Sequence, residues 1–364
     1  MDSDTMMQAL VFETGERLRL CSRPLPALCH PDDVLVRVAA SGICGTDRSI
    51  VLGDFPARSG VVLGHEAAGG VVATGPAVGS LDPGGRVVIN PTYHCGSCRC
   101  CRRGMAAHCA SKDGREIGVD RDGTLAEYVV VPAPFLHPLP PGVSYRRAAL
   151  VEPLACVLNN LTAASPRWTD RCLVLGAGPI GTLCALVLAF RGHRVTVVER
   201  DAVRVELAQH VLPAPTQVVP ARDGDLWPAA DGWDAGPDVV VDTTGVLLAD
   251  ALEVVATGGT VVAMGERETA TATIPVRSLV TRGVRIVGAG PYPPHLFQTA
   301  LDLARDLPLD SLVTHTLPLH RYAEAFAALH VPLADTRPAP SSYAAMKVLL
   351  LPGDQAREES RCAG

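Results

Sequence analysis

The chain is almost without lysine: of its 32 basic residues only Lys112 and Lys347 are not arginine. Aromatic residues are also scarce, at 4%, which argues against the stacking platforms that single-stranded nucleic acids need. No basic run is longer than Arg102-Arg103 and the formal charge is -6, so there is no electrostatic footprint for a phosphate backbone or an anionic membrane. The longest apolar run, Leu183 to Phe190, falls far short of the roughly 20 residues that span a bilayer. The opening MDSDTMMQALVFETGE is acidic and lacks the apolar segment and cleavage site of a secretory signal, and a cytoplasmic location is expected. What is present is a globular composition: 48% apolar residues and 34 glycines in 364 residues, enough for two domains with sizeable cores.

Twelve cysteines stand out in such a chain. Cys95, Cys98, Cys101 and Cys109 follow a C-x2-C-x2-C-x7-C spacing within HCGSCRCCRRGMAAHC. In a reducing compartment this pattern reads as a metal site rather than as disulfides, because tetrahedral zinc favours thiolates and C-x2-C steps present them from consecutive turns. Cys100 adjoins Cys101, and His94 and His108 are close, so the third ligand is Cys100 or Cys101. A closed shell of four thiolates leaves no open position, which makes this lobe structural rather than reactive.

Residues 7 to 150 read as short strands (QALVF, RLRLC, DVLVRVAASGI, AAGGVVATG, GRVVI, LAEYVVVP) punctuated by Gly and Pro. From Cys172 onward, apolar strands alternate with helix-length segments at 179 to 191, 201 to 210 and 247 to 256, the signature of βαβ units around a buried parallel sheet. Amphipathic helices are expected at 295 to 306 and 319 to 330, followed by the strand MKVLLLP, which is expected to return to the first domain. The expected architecture is α/β plus β: a β-barrel-like catalytic domain over 1-156 with 297-352 returning to it, a doubly wound coenzyme domain over 157-296, a Pro/Ser loop at 335 to 342, and a disordered tail over 353-364.

Gly176-Ala-Gly178-Pro179-Ile180-Gly181 follows the strand CLVL and opens a helix. That is the context in which G-x-G-x-x-G seats a pyrophosphate on a helix N-terminus. Glu199 closes the next strand, where a carboxylate can accept from the adenosine ribose hydroxyls and repel a 2'-phosphate. NAD is therefore expected over NADP, with Arg200 leaving NADP open and Arg204 a further coenzyme contact.

A second metal set is split along the chain. Cys44 in SGICGTD and His65-Glu66 in VLGHE sit on Gly-flanked turns between strands, and together they form an incomplete, open zinc shell. Glu152, in VEPLAC at the domain boundary, is a fourth candidate as ligand or base.

The order CGTD, GHE, four-cysteine lobe, DGTLAEYVVVP, VEPLAC and GAGPIG covers nearly the whole chain. It resembles the zinc-dependent medium-chain dehydrogenases, especially their polyol and threonine dehydrogenase branch. The resemblance implies a GroES-like catalytic domain, a Rossmann coenzyme domain, two zinc ions per chain, a dimer or tetramer, and a small polar alcohol or ketone as substrate in the cleft between domains. It implies that Cys44, His65 and Glu66, with Glu152 beside them, hold catalytic zinc, that Asp47 orients the His65 imidazole, and that Thr46 begins a proton relay. Glu152 is then a candidate base.

Three positions depart from the family pattern. Ser49 stands where many relatives complete the relay with His, Asn159 stands seven residues after Glu152 where relatives often carry His, and Gly85 replaces an Asp. Ser49 is similar to what cyclitol and aminocyclitol dehydrogenases of antibiotic biosynthesis carry, including those resembling 2-deoxy-scyllo-inosamine dehydrogenases. The expected activity is hydride transfer between NAD(P) and a secondary alcohol or ketone of a polyol, cyclitol, aminocyclitol or sugar. The alternatives are an L-threonine 3-dehydrogenase-like enzyme and a catalytically silent zinc- and nucleotide-binding or redox-sensing protein.

Overall fold

The computed structural model describes residues 5-15, 17-221, 235-333 and 345-353. The expected Pro/Ser loop and all but the first residue of the expected tail lie outside them. The chain divides into two compact units, with boundaries after Glu152 and after Tyr292, a few residues before the 156 and 296 read from sequence.

The first unit begins with β1 (Met6–Glu13), β2 (Arg17–Pro24) and β3 (Asp33–Gly42). α1 (Gly45–Val51), β4 (Glu66–Thr74), β5 (Arg86–Ile89), α2 (Arg99–Arg102), β6 (Tyr128–Pro132), β7 (Leu136–Pro138) and α3 (Tyr145–Ala148) follow. β3 is the hub, pairing antiparallel with β4 and with β6. Alternating Val34, Val36 and Val38 on β3 bury one face against Val87 and Ile89 of β5 and Val129 and Val131 of β6. β3 is buried on both faces, with only Arg37 exposed, and packing of β-branched residues against their neighbours holds such a strand in register.

α4 (Val151–Ala164) opens at the unit boundary. Sequence periodicity did not mark it as a helix, because Pro153 sits in its first turn, a position where proline is tolerated. The second unit continues with β8 (Arg171–Leu175), α5 (Pro179–Phe190), β9 (Arg194–Glu199), α6 (Ala202–Val211), β10 (Gln217–Pro220), β11 (Val239–Asp242), α7 (Leu248–Val254), β12 (Thr260–Ala263), α8 (Val276–Arg282) and β13 (Arg285–Val287). Among the described residues its six strands are all parallel in the order β10-β9-β8-β11-β12-β13. This is the doubly wound order of two mononucleotide-binding halves that meet between β8 and β11. Leu173, Leu175, Val198, Val240 and Val261 form its core on one face.

The chain then re-enters the first unit through α9 (Pro294–Leu303), β14 (Val313–Pro318), α10 (Tyr322–Ala328) and β15 (Lys347–Leu351). β15 pairs antiparallel with β3, setting Leu349 opposite Gly42 and Leu350 opposite Ser41. None of the described helices is long and apolar enough to cross a membrane.

Candidate functional site

The four-cysteine lobe is built from tight local turns. Cys98 caps α2 and its sulfur accepts the Cys101 amide, while a 3-10 turn at Ala106–His108 delivers Cys109. The sulfurs of Cys95, Cys98, Cys101 and Cys109 lie within 4.8 Å of one another, with Cys98 to Cys101 at 3.5 Å and Cys98 to Cys109 at 4.0 Å. Four thiolates at about 2.3 Å from one zinc stand about 3.8 Å apart, so the lobe fits that ion. Cys101 belongs to the group and Cys100 does not. Backbone amides of Cys98, Cys95 and Ser111 point at the sulfurs of Cys95 and Cys109, which favours the thiolate form. The Ser97 hydroxyl and neighbouring amides pull Cys95 down to about 5. Burial and the Cys98 thiol push Cys101 up to about 12, since desolvation and a neighbouring sulfur both disfavour a second thiolate.

The second cluster joins Cys44, His65 and Glu66, whose ligand atoms also lie within 4.8 Å of one another. Cys44 is not on a bare turn between strands, as its sequence suggested; it caps the N-terminus of α1. His65 and Glu66 arrive at the start of β4, after a turn in which Gly64 adopts φ +91°, a conformation that favours glycine. Asp47 is fully buried, and its two carboxylate oxygens accept the amides of Cys44 at 2.8 Å and Gly64 at 3.0 Å. The family resemblance implies that Asp47 orients the His65 ring. In the structure its bonds tie together the backbones of the two ligand-bearing loops, and its charge acts on His65 through space.

A dense negative charge surrounds this cluster. Burial alone would lower His65, but the Cys44 thiol hydrogen-bonded to it, with Asp47 and Glu152, holds its pKa well above the ordinary imidazole value. Burial likewise raises the Asp47 carboxyl, against the pull of His65 and the two amides. A cysteine sulfur, an imidazole and a carboxylate in one partly buried place form a donor set for a divalent cation of borderline softness, and three ligands leave a position open. Glu152, 9% exposed at the start of α4, lies outside this trio, yet its charge acts on His65 and Lys347.

Lys347 went unread in the sequence. Its ammonium pairs with the Glu66 carboxylate and donates to the Ile43 carbonyl at 3.1 Å, 304 residues away in sequence. Burial pulls its pKa down, but Glu66, Cys44 and Glu152 outweigh that and hold it above the ordinary lysine value. The available signal was a single charge opening the otherwise apolar strand KVLLL in a chain nearly devoid of lysine. Gly42 makes room for this pair: a Cβ there would collide with the Glu66 carboxylate and lie 3.0 Å from Lys347 Cε. Gly42→Ala is therefore expected to cost about 1–3 kcal/mol, as overpacking does, and to lower metal content at this cluster. Thermal melts and metal analysis of the purified variant would measure both.

Thr46 lies on α1 with its hydroxyl 3.7 Å from the Cys44 sulfur. Ser49, also on α1, accepts the amides of Asp54 and Phe55 through its carbonyl, which folds the following loop back on the helix. Its hydroxyl has no hydrogen-bond partner among the described residues.

In the second unit, the Gly-rich turn connects β8 to α5. Gly176 takes φ +96°, Gly178 caps the helix and Pro179 occupies its first position. A Cβ on Gly181 would collide with the Gly176 carbonyl, so the turn closes only with glycine there. Gly178, Pro179 and Ile180 remain partly accessible, and the Arg204 guanidinium lies 4.0 Å from where a Gly178 side chain would begin. Glu199 has contacts that the sequence alone does not reveal. It is 5% exposed, and its oxygens accept the amides of Ala177, Arg200 and Asp201 at 2.8, 2.8 and 2.9 Å. The carboxylate that sequence assigned to a ribose thus also braces the Gly-rich turn against the end of β9. Arg200, next to it, is exposed.

Comparison with known proteins gives two domain matches. Residues 30–141 match the alcohol dehydrogenase GroES-like domain and residues 179–306 match the zinc-binding dehydrogenase domain. D-arabinitol dehydrogenase 1 of Uromyces fabae is 30% identical over 332 residues, covering 88% of this chain and 93% of that protein. A Sinorhizobium meliloti 1021 protein described as a zinc-binding dehydrogenase and solved with NADP superposes with a TM-score of 0.86 at 30% identity, covering 96% of this chain and all of that one. The alcohol dehydrogenase TADH of Thermus sp. ATN1 superposes with a TM-score of 0.83 at 30% identity, over 95% of this chain and 99% of that one.

Proposed function

The chain belongs to the zinc-dependent medium-chain dehydrogenase superfamily, and from that premise we propose that it moves a hydride between NAD(P) and a secondary alcohol or ketone of a polyol, cyclitol, aminocyclitol or sugar. The observation that carries this reading is the convergence of Cys44, His65 and Glu66 into one open, three-ligand cluster. The D-arabinitol dehydrogenase relative supports a polyhydroxylated substrate, and Ser49 supports the cyclitol branch within that class.

Cys44, His65 and Glu66, with Glu152 in reserve, would hold the catalytic zinc, and Cys95, Cys98, Cys101 and Cys109 the structural one. When bound, the catalytic ion supplies Lewis acidity that lowers the pKa of a hydroxyl or polarises a carbonyl. The protein's own groups do the rest. Asp47 sets the spacing of the two ligand loops through its amide contacts, and Lys347 balances the Glu66 charge. The Thr46 hydroxyl, beside Cys44, takes the substrate proton. As it does so it gives up its own, which Glu152, whose charge acts on His65, is the carboxylate that can accept, and the Ser49 hydroxyl, on the same short helix, stands where a histidine would otherwise be.

NAD is favoured over NADP because the Glu199 charge sits at the end of β9, where a 2'-phosphate would be repelled. Gly176, Gly178, Pro179, Ile180 and Gly181 receive the pyrophosphate, with Arg200 and Arg204 flanking it. Association into a dimer or tetramer would use the open edge of β13, and a reducing cytoplasm would keep the cluster thiols available.

The test combines metal analysis, light scattering for mass and NADH absorbance over a panel of polyols, aminocyclitols and threonine. Two zinc ions per chain, one for each cluster, and turnover of a polyol or cyclitol are expected. Zinc only at the four-cysteine lobe, with no turnover, would instead identify a silent binding protein. Turnover of threonine alone would move the chain to the threonine dehydrogenase branch.

A further inference from the structure

The Asn159 side chain makes a contact that neither metal cluster nor the Gly-rich turn explains. It projects from α4, and its amide nitrogen donates toward three consecutive carbonyls, those of Ala289 at 3.2 Å, Gly290 at 2.9 Å and Pro291 at 3.2 Å. Both partners belong to the second unit. The segment leaves the carboxyl end of β13, the last strand of the half-sheet β11-β12-β13. In a doubly wound sheet ligands bind outside the carboxyl ends of the strands, and each half receives one nucleotide. The Gly-rich turn follows β8, in the other half, so the 289-291 segment borders the nicotinamide half.

The contact also directs a donor. No described peptide around the segment is cis, and in a trans peptide the N–H opposes the C=O. Drawing the Ala289 carbonyl onto Asn159 therefore turns the Gly290 N–H away from α4. That N–H has no acceptor among the described residues, and Gly290 is exposed. Pro291 has no N–H to compete with it. Two side-chain protons shared among three carbonyls are a contact that a hydrogen-bond acceptor cannot replace.

We propose that Asn159 is a positioning residue that clamps the 289-291 segment and thereby holds the Gly290 N–H ready for an acceptor on the nicotinamide half of the coenzyme. The proposal rests on the dehydrogenase reading above, and its test separates the two.

Binding of NADH and of ADP-ribose, which lacks the nicotinamide half, is measured on the full-length, zinc-loaded protein and on Asn159→Ala. Asn159→Asp keeps the shape and removes both donors, and Asn159→His returns one of them. The alanine variant is expected to bind NADH about tenfold more weakly, the scale of one to two net hydrogen bonds, while ADP-ribose binding stays within about twofold. KM for NAD should rise with little change in zinc content. The Asp variant should show at least the same selective loss, since a carboxylate repels the three carbonyls, and the His variant should fall between.

Equal loss of both ligands, or a lower melting temperature with unchanged coenzyme constants, would assign Asn159 a purely structural role and overturn the clamp. Unchanged NADH binding in both the Ala and Asp variants would overturn it as well. Failure of the wild-type protein to bind NADH at all would instead remove the dehydrogenase reading, and the proposal with it.

Discussion

Cys44→Ser will lose at least about 100-fold in turnover, because changing a partner one layer out from a metal already costs roughly 10–100-fold and Cys44 contributes one of the three ligand atoms clustered there among the described residues. Among the neighbours of His65 the sulfur is also the largest influence raising its pKa against burial, and it is a further one on Lys347. A serine oxygen is a poor zinc ligand at neutral pH, so the cluster should lose its ion. The four-cysteine lobe is made of separate local turns and should keep its own. Metal content is therefore expected to fall by one equivalent per chain, with the fold retained by circular dichroism. Retained turnover with full metal content would remove Cys44 from the chemistry and with it the open-cluster reading.

Lys347→Met is expected to destabilise the protein by about 3–5 kcal/mol, the cost of removing one partner from a buried ion pair. Lys347 is 3% exposed and Glu66 1%, so Glu66 would be left buried without its ammonium partner. Zinc binding would restore part of the missing positive charge, so the loss should be larger in the metal-stripped protein than in the loaded one. Denaturant unfolding of both forms measures the difference. The pair energy comes from a double-mutant cycle with Glu66→Gln, in which the second substitution should recover much of the stability lost in the first. If Lys347→Met unfolds at the wild-type denaturant concentration, or if the two substitutions are additive, the ion pair contributes nothing to the cluster.

The readability of this protein follows sequence distance. The four-cysteine lobe lies within 15 residues, so backbone turns alone bring its sulfurs together and spacing reveals it. Gly176 to Gly181 is equally local: a strand, a left-handed turn and a helix start are written consecutively. The alternation of apolar strands and helix-length segments after Cys172 carries the parallel sheet, because each βαβ unit is contiguous.

Less was legible where one side chain serves two purposes. Asp47 and Glu199 were visible as carboxylates near their sites, but residue type does not say whether a carboxylate meets a ring, a ribose or backbone amides. The structure gives both of them amides. The helices α1 and α4 were hidden because a seven-residue helix shows too little periodicity and Pro153 interrupts the pattern of the other.

By itself, then, the sequence determined the two motifs that imply zinc and a dinucleotide, since each is a short run whose geometry the local backbone dictates. Only the tertiary structure decided which long-range partners complete them. Pairing of β15 with β3 carries Lys347 to Glu66, and the return of the segment after β13 toward α4 places Asn159 on three carbonyls. Both contacts join residues more than a hundred positions apart, where chain connectivity sets no geometry. Sheet register and burial, properties of the whole fold, select them instead.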